Sequence, residues 1–60
     1  MIALYKVDFR EPMHGVRLTG TFQRWVESTT EAMRAEKNYV NYFREEYRDE
    51  FAQVTLISVD

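Results

Sequence analysis

The chain has no cysteine, one proline, two glycines, one histidine and no long apolar run. Without cysteine there can be no disulfide, and one histidine with no thiol argues against a structural zinc site. The usual staples of small domains are therefore missing, while a single core in a chain of 60 residues supplies only about 3–5 kcal/mol. Binding to another chain is the remaining supplement. The scarcity of Pro and Gly leaves little room for a flexible linker. No segment approaches the ~20 apolar residues needed to span a bilayer, and the opening Met-Ile-Ala-Leu-Tyr-Lys lacks the shape of a signal peptide. The expected location is the cytoplasm, and the start at Met without a tag reads as a complete, very small gene product.

Chemistry-bearing motifs are scarce too. The sequence has no Ser-His-Asp set, Gly-rich phosphate loop or metal-ligand spacing, so the expectation is a protein that is not an enzyme and uses no cofactor. His14 is the one side chain whose ordinary pKa lies near neutrality. It sits in a Pro/Gly turn near Asp8 and Glu11, as a solvated loop histidine would. Ten acidic against eight basic residues give a net charge of −2, which opposes a general nucleic-acid binder that must neutralise many phosphates. It is also far from the dense acidity of a whole-surface DNA mimic.

What the chain does have is apolar and aromatic residues, at 45% and 15%, too many for a disordered segment. From Ile2 to Arg10 the pattern alternates, with Ala3, Tyr5, Val7 and Phe9 on one side and Ile2, Leu4, Lys6, Asp8 and Arg10 on the other. Glu11 to Gly15 supplies Pro and Gly for a hairpin loop. In the second strand Val16, Leu18, Gly20 and Phe22 share one face, and Thr19, Thr21, Gln23 and Trp25 share the other. Ser28-Thr29-Thr30-Glu31 fits a capping box that starts a helix at about Thr29. At 100° per residue Ala32, Met33, Val40, Phe43, Tyr47 and Phe51 gather on one stripe, with Tyr39 at its edge. Val54 to Val59 is a β-branched run that reads as a third strand.

These signals predict one α+β domain of ββαβ order, with strands at 2–10, 16–26 and 54–59 and a helix at 29–51. The most apolar strand belongs in the middle, giving a three-stranded sheet of order 2-1-3 with the helix on one face. One helix covers one face, so apolar residues on the other face want a partner. Ile2, Leu4 and Trp25 belong there, joined by either Ile57 with Val59 or Val54 with Leu56. A contiguous apolar set with a Trp often marks an interface.

Glu36 falls at the centre of the helix stripe. A buried carboxylate is costly, so Glu36 is expected to pair with an Arg such as Arg24 or Arg17, with reaching an edge or meeting a partner chain as alternatives. Lys37, Arg44 and Arg48 line one flank of the helix, and Glu31, Glu45 and Asp49 the next. Residues 45 to 50 hold four acids, Glu45, Glu46, Asp49 and Glu50, which suit a basic cleft on a partner. Tyr39 and Tyr42 would be aromatic rim anchors beside them.

Leu4-x-Lys6-Val7-x-Phe9 in the first strand, Val40-Asn41 in the helix, the total length and the order of elements resemble the small host-takeover proteins of bacteriophages. Within these the chain is most similar to the Dmd-type antitoxins of T-even phages, which neutralise RNase toxins of the RnlA/LsoA type. Small phage inhibitors of bacterial RNA polymerase are similar in topology alone. Both resemblances imply inhibition by direct occupation of a host protein's surface, and neither assigns a role to an individual residue. The functional expectation is a phage-type antitoxin or inhibitor of a nucleic-acid-processing enzyme, binding through Ile2, Leu4, Trp25, Tyr39, Tyr42, Glu45, Glu46, Asp49 and Glu50. The alternative is a homodimer packed through the open sheet face.

Overall fold

Alternation makes a strand of the first segment because Ala3, Tyr5, Val7 and Phe9 all need shelter on one side. The computed structural model describes residues 1–60. In it β1 (Ile2–Glu11) and β2 (Val16–Trp25) form a hairpin, α1 (Thr29–Glu46) crosses over, and β3 (Gln53–Val59) returns on the far side of β1. The sheet order is β2-β1-β3 with both pairings antiparallel, so the ββαβ expectation holds and β1 is central.

Each turn has an identifiable cause. In the hairpin loop the Glu11 carboxylate accepts the backbone N–H groups of Met13 at 2.8 Å and His14 at 2.7 Å. The N–H of Gly15 donates to the Glu11 carbonyl at 2.8 Å, with φ at +68°, a region that strains any residue bearing a Cβ. At the helix start the Ser28 hydroxyl accepts from the Glu31 N–H at 3.1 Å. The Glu31 carboxylate in turn accepts from the N–H of Glu27 at 3.0 Å, one residue ahead of the cap.

The helix ends at Glu46, not at 51 as the periodicity predicts. Tyr47 caps it, Arg48 turns left-handed at φ 52°, and the Asp49 N–H reaches back to the Arg44 carbonyl at 3.1 Å. That is a Schellman-type stop, usually made by Gly. No Gly or Pro marks it here, so Arg48-Asp49-Glu50-Phe51 reads as continuing helix. One consequence is that Phe51 leaves the stripe altogether and is 69% exposed. Met33 is also turned outward, at 60% exposure, and the buried helix positions are Ala32 and Ala35. Tyr39, Val40 and Phe43 pack beside them.

Tyr5 is the pivot of the core. Its side chain is fully buried, stacks on Phe22 at 5.3 Å and meets Tyr39 edge-on at 5.3 Å. Its hydroxyl donates to the Ala32 carbonyl at 2.8 Å, tethering the helix to the central strand. Burial is also the main reason that its pKa is raised. Toward the other end of the helix Phe9, Phe43 and Tyr47 form a second aromatic group, with ring centres 4.4–5.6 Å apart.

Strand β3 corrects one expectation. A register shift opposite Leu4 and Tyr5 inserts Ile57 as an extra residue, pairing Tyr5 with Leu56 and Leu4 with Ser58. Val54, Leu56 and Val59 therefore all pack inward with the core, and Ile57 is left exposed. Neither predicted pair of outer-face residues holds as a pair.

Two substitutions check this packing. Phe43→Ala removes a ring that contacts Phe9, Phe22, Tyr42 and Tyr47. It should cost roughly 3–5 kcal/mol, most of the margin of a domain this small, and unchanged thermal stability would refute the helix packing. Arg48→Gly should act the other way. Relief of the left-handed strain should stabilise by roughly 0.5–1 kcal/mol, seen as a melting temperature a few degrees higher.

Candidate protein-binding surface

The predicted site residues divide between the two ends of a molecule 36 Å long. At one end Ile2 pairs across the strands with Trp25, and Leu4 lies next along β1. Trp25 is 64% exposed, Ile2 is exposed and Leu4 is half-buried. Beyond Leu4 the outer face turns polar, with Lys6 opposite Thr21 and Thr55, and Asp8 opposite Thr19 and Gln53. Arg17 closes this region by an ion pair to Asp8 at 2.6 Å, a contact that raises the pKa of its guanidinium. The apolar outer patch is thus a corner, not a face.

The other end holds Tyr42, Glu45, Glu46 and Glu50, all exposed. The 18-residue helix, about 27 Å long at 1.5 Å per residue, stands between this group and Trp25. The two groups are thus separated along the long axis of the molecule. Phe51, which the periodicity places in the core, is exposed at this same end and shares a shallow basin with Arg10, Pro12, Arg44, Arg48, Glu45 and Glu50. The sequence carries no signal for Phe51 as a surface aromatic, because only the left-handed turn at Arg48 removes it from the helix.

Two expected contact residues have other duties. Tyr39 is half-buried, wedged against Tyr5 and Phe22, and its hydroxyl accepts from Arg24 at 3.4 Å with the guanidinium 5.7 Å from its ring. Its ring packs against the core instead of standing free at a rim. Asp49 is only 7% exposed. Its carboxylate accepts the N–H of Arg10 at 2.8 Å and that of Phe51 at 3.0 Å, with Arg17 at 3.8 Å. It satisfies the edge of β1 where β3 has not yet begun, so it cannot steer a partner.

Glu36 is likewise a correction to the expected Arg pairing. Its carboxylate accepts the backbone N–H of Leu56, while Arg24 pairs with Glu31 and Arg17 with Asp8 and Asp49. His14 is exposed and its Nδ1 lies 3.0 Å from Glu11. No group of His, Cys, Asp and Glu side chains converges to hold a metal ion, and no helix is long and apolar enough to cross a membrane.

Comparison with known protein families, with curated proteins and with solved structures finds no match to this chain.

The carboxylates that organise the turns have a measurable signature. The backbone N–H groups of Phe51 and Arg10 hold the pKa of Asp49 below its ordinary value, and the backbone N–H of His14 does the same for Glu11. Both groups ionise more readily in the folded state than in the unfolded one. The stability they contribute is complete above the ordinary carboxyl range, about pH 4, and is lost as pH falls through the folded values. Asp49→Asn should therefore lower the urea midpoint at neutral pH, and the difference from the parent should shrink in acid. A pH-independent difference would mean that ionisation of Asp49 contributes nothing.

Proposed function

We infer that this chain works by stoichiometric binding to another protein, as a phage-type antitoxin or inhibitor of a host nucleic-acid-processing enzyme in the cytoplasm of an infected bacterium. The observation that carries the reading is the end of the helix, where Tyr42 and Phe51 stand exposed beside the exposed carboxylates of Glu45, Glu46 and Glu50. Exposed acids raise the rate of encounter with a basic cleft, of the kind an RNase or polymerase offers its substrate. Large aromatic side chains then supply the contact energy once desolvated. The resemblance to phage host-takeover proteins supports the same class of partner.

Arg10, Arg44 and Arg48 lie in the same basin, but Arg44 is engaged, its Nε donating to the Ala52 carbonyl at 3.0 Å. Neither Glu45, which lines the basin, nor Glu46 beside it in the helix forms an ion pair.

Capture from a bacterial lysate identifies the partner, and kinetics then test the surface. Reversing Glu45, Glu46 and Glu50 to Lys should slow association strongly at low salt and little at high salt. Phe51→Ala or Tyr42→Ala should instead speed dissociation, costing about 2 kcal/mol if either residue is a hot spot. Trp25→Ala, at the far end, should leave both rates unchanged. If charge reversal leaves association untouched and Trp25→Ala abolishes binding, the contact lies at the other end of the molecule and the basic-cleft reading fails.

A further inference from the structure

The two edges of the sheet are treated differently. On the β3 side α1 packs close, and Glu36 takes the outward-facing N–H of Leu56. On the β2 side the helix backbone stays away, and contact is made through side chains to Phe22 and Arg24 on the inner face. All ten residues of β2 except Phe22 are exposed. This strand has no proline, no bulge and no covering loop to keep a bare edge from pairing, and its two charges, Arg17 and Arg24, are each paired within the chain, to Asp8 and Glu31.

The hydrogen-bond pattern shows which groups of β2 are free. Ile2 exchanges both backbone bonds with Asp60 at 2.8 and 2.9 Å, and Val26 N–H donates to the Met1 carbonyl at 2.9 Å. Even-numbered residues of β1 thus face β3 and odd-numbered ones face β2. With the unbroken register of the hairpin, the even-numbered residues of β2 are bonded to β1. Arg17, Thr19, Thr21, Gln23 and Trp25 direct their N–H and C=O groups to the open edge.

We propose that β2 pairs antiparallel with β2 of a second copy, about a two-fold axis at Gly20, to give a continuous six-stranded sheet with both helices on the same side. The faces restrict the register: a one-residue slip would set core-side residues against outer-face residues, so only even slips are allowed. With the axis at Gly20, Leu18 lies opposite the partner's Phe22, the two glycines face each other, and Val16 lies opposite the partner's Arg24. On the outer face Arg17 meets the partner's Gln23 and Thr19 the partner's Thr21, so no like charges oppose. Every residue of the strand but Trp25 is paired. A two-residue slip in one direction sets Leu18 against the partner's Arg24 and shortens the ladder, and a slip in the other direction sets Leu18 against the partner's Gly20.

The asymmetry of the edges also explains why pairing would stop at two. A ten-residue strand is about 34 Å long, nearly the full 36 Å length of the molecule. Dimer formation consumes the one bare edge of each copy. The edges that remain are the β3 edges, which are shorter, interrupted by the bulge at Ile57 and have the Leu56 N–H taken by Glu36, so the contact closes instead of growing into a fibre. The inference rests on the backbone groups of β2 and on none of the acidic residues of the helix end.

Three measurements on the full chain test it. The solution mass should be twice 7.2 kDa at high protein concentration and fall toward the monomer on dilution. Thr21→Pro removes an N–H that faces the open edge and is not used within the monomer. That variant should keep its helical circular dichroism and remain monomeric. Gly20→Cys is the direct probe of register: nothing lies within 4 Å of a Cβ built there, and the chain has no other cysteine. In this register the two positions form a non-hydrogen-bonded pair with Cα atoms about 4.5 Å apart, inside disulfide range. Mild oxidation should therefore give a covalent dimer in high yield.

A parent chain that stays monomeric at every concentration would overturn the proposal. So would a dimer that survives Thr21→Pro, which would place the contact at the Ile2 and Trp25 corner, or a dimer in which Gly20→Cys fails to cross-link.

Discussion

A helix about 10 Å across can shelter only two strands spaced about 4.8 Å apart, and this chain has three strands and one helix. Where the helix is tethered therefore decides what is core and what is surface. The Tyr5 hydroxyl holds the Ala32 carbonyl, and Glu36 holds the N–H of Leu56, so α1 sits over β3 and β1. The inner face of β2 is left with Phe22 as its only sheltered side chain. Val16 and Leu18 are apolar by pattern and exposed by geometry.

The same tethers show how a domain with so little interior stays ordered. Only Tyr5 and Val26 among the larger side chains are fully buried, so aromatic rings in mutual contact and carboxylates on backbone N–H groups make up the rest. Glu11, Glu31, Glu36 and Asp49 each accept from main-chain donors that helix and sheet leave over. A carboxylate is well suited to this because it accepts without needing a donor of its own, and charge-assisted bonds are stronger than neutral ones. Of the ten acidic residues, several are therefore structural, and a count of acids overstates the charge offered to a partner. What remains at the helix end, Glu45, Glu46 and Glu50, is a smaller group than the sequence run implies.

The sequence by itself determined the order of elements, the central place of β1 and the cap at Ser28. Each rests on local chemistry: period-two alternation in β1, Pro and Gly at the hairpin, and a hydroxyl three residues before a carboxylate. The face assignments in β1 and β2 follow from the same alternation. Tertiary structure decided the rest. The left-handed turn at Arg48 ended the helix early, set the Asp49 carboxylate against the edge of β1 and put Phe51 on the surface. The bulge at Ile57 turned Val54, Leu56 and Val59 to the same side, which no alternating pattern could have indicated. Tyr39 packed against the core, Asp49 was buried at the edge of β1 and Glu36 found a backbone partner because of where helix and sheet docked. Periodicity records which side of its own element a residue occupies, but whether that side meets another element, a strand edge or water is fixed only when the elements are docked.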